Sequence, residues 1–291
     1  ALSSMNKGIL LVLSGYLMWG CFPLYWALLN HVNPSEVLIH RMLWSVPVLF
    51  FLVYSKPSWR LNFKESLSSR KELLFLLITA ILITINWGGY ILAVNLGRVV
   101  EASMGYFLSP VLNMIGGYFF FHERISKLKQ LAVLFATVGA LFYVFSGDSF
   151  PWLGFLVGFT FSAYGIARKA MSSSAVPGLY IETLILLPFF IVFSIWFYSN
   201  FDVSFFNVDI STDILLFLAG AVTVIPLALF NAGAKLLPMT TVGILFLITP
   251  TLQFLVGYYL QNEAVNPYQL IGFVGVWTGL IMYSYGLIKD K

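Results

Sequence analysis

Charge is scarce in this 291-residue chain, where Asp, Glu, Lys and Arg together make up 10%. A soluble domain carries about 25%, so the chain cannot clothe a globular surface in solvated groups. Cysteine is nearly missing. Cys21 is the only one, which excludes a disulfide-stapled secreted scaffold and a Cys/His metal cluster. No G-x-x-x-x-G-K-[ST] loop occurs, so ATP drive by this chain is not expected. No His-Glu-x-x-His occurs either, because His122-Glu123 is followed by no suitable His. No span carries an Asp, which excludes an intramembrane aspartyl protease. Asp202, Asp209 and Asp213 are scattered around one long loop and read as a solvated rim rather than a Ca²⁺ site. The chain therefore reads as a non-enzyme that needs no cofactor and no metal.

Apolar residues are what the chain has in excess. They make up 59% of it, aromatics make up 18%, and 28 residues are Phe. That content excludes a disordered chain. A helical membrane span needs about 20 mostly apolar residues. Ten such segments are readable, near 8–29, 34–54, 73–95, 100–121, 128–146, 151–169, 177–199, 213–234, 239–260 and 268–287. Pro34, Pro151, Pro177, Pro238 and Pro267 stand at or near segment starts, where a missing N–H is tolerated. Asn30-His31-Val32-Asn33 and Gly147-Asp148-Ser149 read as tight turns. Runs such as Leu73-Leu74-Phe75-Leu76-Leu77-Ile78 do not alternate, which rejects a β-barrel. The first run, Gly8 to Leu29, is longer than a signal core and nine more follow, so it reads as a span. The expected fold class is an all-α polytopic membrane protein with ten transmembrane helices.

Placing both termini in the cytoplasm puts fourteen of the sixteen Lys and Arg on the inside. Arg98 falls outside and Arg41 falls within a span. The reverse orientation would invert that count, so the positive-inside rule sets the topology. The net charge of +4 is then a loop bias and not a nucleic-acid footprint.

The chain also repeats itself. At a fixed shift of 140, Pro110 meets Pro250, Gly117-Tyr118 meets Gly257-Tyr258, Glu123 meets Glu263, Gly139 meets Gly279, and Tyr143 meets Tyr283. A shift of 141 matches Pro47 with Pro188 and sets Arg41 opposite Glu182. The predicted units are residues 7–146 and 151–288, five spans each. An odd span number makes the second half enter from the other side. That is an inverted repeat, which favours a secondary transporter working by alternating access.

Several further runs carry a resemblance. They are His40-Arg41-Met42-Leu43-Trp44-Ser45, Asn86-Trp87, Ala93-Val94-Asn95, Glu101-Ala102-Ser103-Met104-Gly105-Tyr106-Phe107, Tyr164-Gly165 with Arg168-Lys169, Ile181-Glu182-Thr183-Leu184 with Leu187-Pro188, and Thr223-Val224-Ile225-Pro226-Leu227. With the Pro-x6-Gly-Tyr-x4-Glu pattern of each half, they make the chain resemble the drug/metabolite transporter superfamily. The resemblance implies two EamA-type domains, and the chain is similar to the RarD-like branch along essentially its whole length. The resemblance implies a bacterial-type cytoplasmic (inner) membrane transporter with both termini inside. It further implies a central cavity lined by spans 1, 3, 4, 6, 8 and 9, with spans 5 and 10 peripheral. The branch is labelled by chloramphenicol sensitivity, which is a phenotype and not a substrate. Where the family carries Gly-Glu late in the fourth span, this chain reads His122-Glu123, and Asn262-Glu263 in the second half.

Ionisable groups inside a bilayer are functional hypotheses by default. His40, Arg41, Glu101, Glu182 and Arg168 are the candidates for gating or coupling. Arg41 is expected to pair with Glu101 or Glu36, and Glu182 with Arg168 or Lys235. Glu182 leads if protons are the coupling ion. The candidate substrate-binding residues are Trp19, Tyr25, Asn86, Trp87, Tyr90, Asn95, Ser103, Tyr106, Asn113, Tyr164, Asn231 and Gln253. Thr223 and Thr241 lie in the same spans. A site with this lining suits an amphipathic or aromatic small molecule. The bland alternative is that the amides and hydroxyls join helices while Trp and Tyr anchor at interfaces. The expected partners are a small-molecule substrate and the lipid bilayer, with no nucleic acid. The expected state is a monomer or weak homodimer. The expected function is a secondary transporter, an exporter of small organic or drug-like solutes. An amino-acid or related metabolite carrier is the alternative, and a non-transport membrane protein is a more distant one.

Overall fold

The computed structural model describes residues 3–96, 105–145, 150–260 and 267–289, without the side chains of residues 94, 95, 257, 260 and 269. The described part is helical and contains no strand. The first four helices are α1 Ser4–Ala27, α2 Pro34–Ser55, α3 Pro57–Ser68 and α4 Arg70–Asn95. A 3₁₀ turn at Gly105–Leu108 leads into α5 Ser109–Phe121, followed by α6 Lys127–Val144. The rest are α7 Trp152–Ala170, α8 Ala175–Asn200, α9 Ile210–Ala234, α10 Met239–Phe246, α11 Ile248–Leu260 and α12 Pro267–Lys289.

Polar residues start these helices as capping chemistry requires. Ser3 Oγ accepts from the Asn6 N–H, and Asn33 Oδ1 accepts from the Ser35 N–H ahead of Pro34. Asp209 Oδ1 accepts from the Thr212 N–H at 2.7 Å, and this bond holds its carboxyl below the usual range. Asp213 falls in the first turn of α9, so one Asp does stand inside a span. Pro57 at the start of α3 nucleates a short helix where the sequence suggested only a loop.

Among the described residues, eight helical stretches are long and apolar enough to cross a membrane. Ten were expected. The 3₁₀ turn with α5, and α7, occupy the fourth and sixth expected places. Large apolar side chains lie bare on the outside, including Phe51 at 71%, Phe120 at 70% and Ile281 at 69% exposure. Water would not tolerate so wide an apolar surface; lipid does. The chain is a multi-pass membrane protein.

The fourth and ninth apolar segments are not continuous helices. The fourth changes from 3₁₀ to α at Leu108–Ser109, and the ninth is interrupted at Leu247. Each break lies two or three residues ahead of a proline, which has no N–H, whereas Pro23, Pro47, Pro188 and Pro226 sit inside unbroken helices. Pro110 and Pro250 cannot donate to the carbonyls four residues back, those of Tyr106 and Phe246. At Leu247 the N–H turns to Ile244 O at 3.2 Å instead. The two interruptions stand at matching places in the repeat.

Helix packing follows one scheme. α6 lies against α12, α5 against α10, and α2 against α8. α1 packs on α9 as α4 packs on α7. α1 also packs on α11, and α7 correspondingly packs on the 3₁₀ turn and α5. Small residues make the closest of these contacts. A Cβ on Gly139 of α6 would lie 2.6 Å from the Val276 N of α12, and one on Gly279 would lie 2.7 Å from Ala136 N. A Cβ on Gly105 would run into the Gly154 carbonyl and one on Gly158 into the Gly105 carbonyl, so the 3₁₀ turn seats on α7 because residues 105 and 158 are glycine.

His122 ends α5 in the left-handed region, with φ 52°. Its N–H and that of Glu123 both turn back to Gly117 O, the latter at 3.0 Å. This is a Schellman-type stop, where glycine is the usual residue. The bend therefore survives the replacement of the family's glycine and carries the cost of a Cβ there. His122 is exposed, so nothing is lost by removing the imidazole. His122→Gly should raise stability by about 1 kcal/mol, a gain of about 2–4 °C in Tm, read by thermal unfolding in detergent.

Candidate functional site

Glu182 sits in the third turn of α8 and is 3% exposed. Its Oε1 accepts from Thr79 Oγ1 at 2.5 Å, and its Oε2 accepts from Tyr164 OH at 3.2 Å. Arg168 Nε approaches Oε1 at 3.7 Å. The guanidinium also donates to the carbonyls of Ser174 at 3.3 Å and Ala175 at 3.0 Å. It fits because Gly178 has no side chain, since a Cβ there would lie 2.7 Å from Cζ. Asn231 Nδ2 donates to Tyr164 OH at 2.9 Å, while its Oδ1 is buried without a partner. One cluster thus joins α4, α7, α8 and α9.

Next to it lies a cavity of about 20 Å³, lined by Glu182, Thr183, Trp87, Ser45 and Thr223 with apolar neighbours. That is room for one water. Its walls are α2, α4, α8 and α9, whereas the resemblance implied spans 1, 3, 4, 6, 8 and 9. Those other helices are packed shut by rings. Trp19 stacks on Tyr16 at 6.1 Å between centroids and meets Phe161, Phe230 and Phe246 edge-on or tilted. Tyr106 joins the same group through Phe161 and Phe246. Among the described residues these rings form an aromatic plug between the helices that were expected to line the cavity.

Arg41 does not pair with Glu36, contrary to expectation. Glu36 is fully buried and accepts from the Ser204 and Phe205 N–H groups at 2.9 Å. The loop around residue 204 offers two free N–H donors and so captures the carboxylate. Arg41 instead donates from Nε to Thr223 Oγ1 at 3.0 Å. Its Cζ lies 5.1 Å from the Trp26 ring and 5.4 Å from the Trp87 ring. Among the described residues no ion pair joins Arg41 to Glu182 or to any other acid. Glu101, the other expected partner, lies outside the described residues, as do Ser103 and the Asn95 side chain.

The remaining candidates scatter. His40 takes the Trp44 indole N–H on Nδ1 at 3.0 Å, and its Nε2 meets Tyr198 OH at 2.9 Å. An indole only donates, so Nδ1 is the acceptor and the Nε2 tautomer is fixed. Asn86 donates to Val157 O at 2.7 Å and Thr160 Oγ1 at 3.1 Å, joining α4 to α7. Tyr25 OH donates to Leu215 O, and Gln253 donates to Trp19 O. Tyr90 packs beside Val157. Asn113 faces α10, where Gly243 leaves room for it. Thr241 bonds Tyr283 OH at 3.0 Å.

Both ends of the bundle are tied across the two halves. At the end where α7 stops, Glu123 accepts from Met239 N at 2.6 Å and lies 3.6 Å from Lys169 Nζ. Lys169 also donates to Leu237 O. Glu72 accepts from Ser172 N at 3.1 Å and Ser173 N at 3.0 Å. Lys235, just past α9, donates to the carbonyls of Met171 and Ser173. Burial first, and then Arg168, push its ammonium down to about 8, against the pull of Glu72. At the other end, Glu36 holds the 204–205 loop, and His31 bonds Thr212 at 2.9 Å.

The profile described as "EamA-like transporter family" matches residues 6–145. The "Uncharacterized transporter YojE" of Bacillus subtilis is 34% identical over 98% of this chain and 96% of its own length. The chain belongs to the EamA-like transporter family. "Protein RarD" of Escherichia coli is 33% identical over 98% of this chain and 96% of that one. "Protein RarD" of Salmonella typhi is 34% identical over 98% and 97%. A solved crystal structure of a protein 15% identical covers 97% of this chain and 98% of its own with a TM-score of 0.73, so the fold is shared. Membrane transport is the general activity that membership of this family implies.

Sequence reasoning missed the ring plug. Tyr16, Phe161, Phe230 and Phe246 carry no polar signal in a chain with 28 Phe. Thr79 was missed too, although a hydroxyl one turn from an intramembrane acid's level is a detectable sign.

Proposed function

We propose that the protein is a secondary transporter that exports small organic solutes from the cytoplasm by alternating access. The observation that carries the reading is the packing scheme. Exchanging each span of residues 7–146 for its counterpart in residues 151–288 maps the main contacts either onto themselves or onto one another, and the two interruptions onto each other. That supports two inverted five-helix repeats, with solute passing between them near the bilayer midplane. The positive-inside count supports cytoplasmic termini in a bacterial inner membrane.

The end of the bundle bearing Lys169 and Lys235 is then the cytoplasmic gate. Its Glu123 bonds to Met239 and Lys169 and its Glu72 bonds to the Ser172 and Ser173 N–H groups cross between halves, so they must break for solute to enter. The Glu36 loop bonds and the His31–Thr212 contact form the outer gate. The aromatic plug must part between the two. Glu182 is the proposed proton carrier, since it is the carboxylate beside the central water-sized cavity.

An amino acid or related metabolite is a second reading for the solute. It is favoured by the placement of Glu182 on the cavity wall and of Arg41 one hydroxyl away through Thr223.

The test is uptake into proteoliposomes holding the purified chain, with and without a pH gradient. Solutes should include chloramphenicol, aromatic acids and amino acids. Uptake above empty vesicles, accelerated by an opposing proton gradient, is the expected result. No movement of any solute class would refute transport.

A further inference from the structure

The charges deep inside the spans do not balance. Arg41 and Arg168 are two cations, and among the described residues Glu182 is the acid that meets either of them. Arg168 and Glu182 offset each other at 3.7 Å. Arg41 is left over. A charge in a membrane interior is costly unless it is paired, and neither a hydroxyl nor two indole faces carries a negative charge.

The surroundings of Arg41 stabilise a cation without neutralising it. Trp26 and Trp87 face it at 5.1 and 5.4 Å, within the range of cation–π attraction. Thr223 takes the Nε proton. No described residue accepts from either Nη. A guanidinium fixed by its Nε and flanked by flat rings presents its outer edge in one orientation. That edge is the fork that binds a carboxylate with two parallel N–H···O bonds. Trp87 and Thr223, the ring and hydroxyl that Arg41 meets, also line the small cavity beside Glu182, which sets the guanidinium next to that central space.

We infer that Arg41 is the anion subsite of the transport path and binds the carboxylate of an organic acid whose apolar body lies against Trp87. The inference rests on the transporter reading and names its substrate class. Lysine would not replace the arginine fully, because a point charge lacks the fork. An isosteric amide would bind poorly, because it leaves the guanidinium desolvated without a counter-charge.

The test compares two acids, 3-phenylpropanoate and indole-3-acetate, with 3-phenylpropanamide and indole-3-acetamide. Binding to the purified full-length protein in detergent is followed by titration calorimetry, and uptake is followed in proteoliposomes. The wild type should bind each acid about tenfold or more tightly than its amide. Arg41→Gln should remove that preference, and Arg41→Lys should restore part of it. If Arg41→Gln fails to fold, the acid-to-amide ratio of the wild type and of Arg41→Lys still decides. L-Phenylalanine separates the two sources of carboxylate. Binding tighter than 3-phenylpropanoate assigns an α-amino acid, and weaker binding assigns a simple acid; both support the subsite. Equal binding of acid and amide, no binding of any acid, or an acid preference unchanged in Arg41→Gln would each overturn it. Acid binding without uptake would leave the subsite standing and remove the transporter reading. Uptake indifferent to charge would do the reverse.

Discussion

Glu182→Gln should abolish proton-driven transport, and Glu182→Leu should in addition cost about 3–5 kcal/mol of stability. The two substitutions separate two roles of one carboxylate. Glutamine also leaves Arg168 without its counter-charge, but it keeps the shape and can still accept from Thr79 and donate toward Tyr164, so the cluster of α4, α7, α8 and α9 should lose less stability than with leucine. What it cannot do is take up or release a proton. Transport in vesicles should therefore be slow and flat with pH in this variant, where the wild type responds to a gradient. Flux that remains pH-dependent in Glu182→Gln would remove the coupling role. Leucine takes away the acceptor for Thr79 Oγ1 and Tyr164 OH together. It also leaves Arg168, 1% exposed, without a counter-charge. Its remaining bonds to Ser174 O and Ala175 O are to neutral carbonyls. Denaturant unfolding in detergent reads the loss. A Leu variant as stable as wild type would mean that the Arg168–Glu182 pair contributes nothing net, as some buried pairs do.

Gly139→Leu should prevent α6 and α12 from packing and yield little monodisperse protein. The contact is built from small residues on both sides, Ala132, Ala136 and Gly139 facing Gly272, Gly275 and Gly279. Lipid tails are as apolar as any side chain, so no hydrophobic gain drives these helices together; close backbone approach does. A Cβ at residue 139 would stand 2.8 Å from the Gly275 carbonyl carbon and 2.6 Å from Val276 N. Both are backbone, so a clash cannot be relieved by a rotamer change. Overpacking typically costs about 1–3 kcal/mol, and a whole helix pair must separate here, so the loss should sit at the upper end. Size-exclusion elution and Tm report it. The same substitution at lipid-facing Val138, 58% exposed, is the control and should leave both unchanged. An intact elution profile for Gly139→Leu would refute the close approach.

The charged residues show how far the chain could be read before its fold was known. Lys169 and Lys235 read as topology signals, yet the fold pairs Lys169 with Glu123 of the other half and sets Lys235 on the carbonyls of Met171 and Ser173. Glu36 read as a partner for Arg41, yet it caps the 204–205 loop. Both outcomes turn on backbone N–H and C=O groups, which every residue carries and no side-chain pattern marks. A carboxylate near an uncapped loop has donors available that leave no trace in composition. The aromatic plug was hidden for a related reason. Phe161, Phe230 and Phe246 look like the Phe residues that face lipid, and only helix rotation separates the two.

Local features carried through because their causes are local. The first turn of a helix needs no N–H from its proline, so Pro34 and Pro267 begin their segments as expected. Apolar runs of span length are set by bilayer thickness, and membership of the EamA-like family follows from matches along the chain. Contacts between residues 100 or more apart were decided by tertiary structure alone. Thr79 meets Glu182, Arg41 meets Thr223, and Asn62 Oδ1 accepts from Ser174 N at 2.7 Å. The apolar sequence determined that this chain enters a membrane and where it bends. Which polar groups find each other depended on how the helices turn about their axes, because in lipid a buried polar group must be satisfied by whatever neighbour the packing supplies.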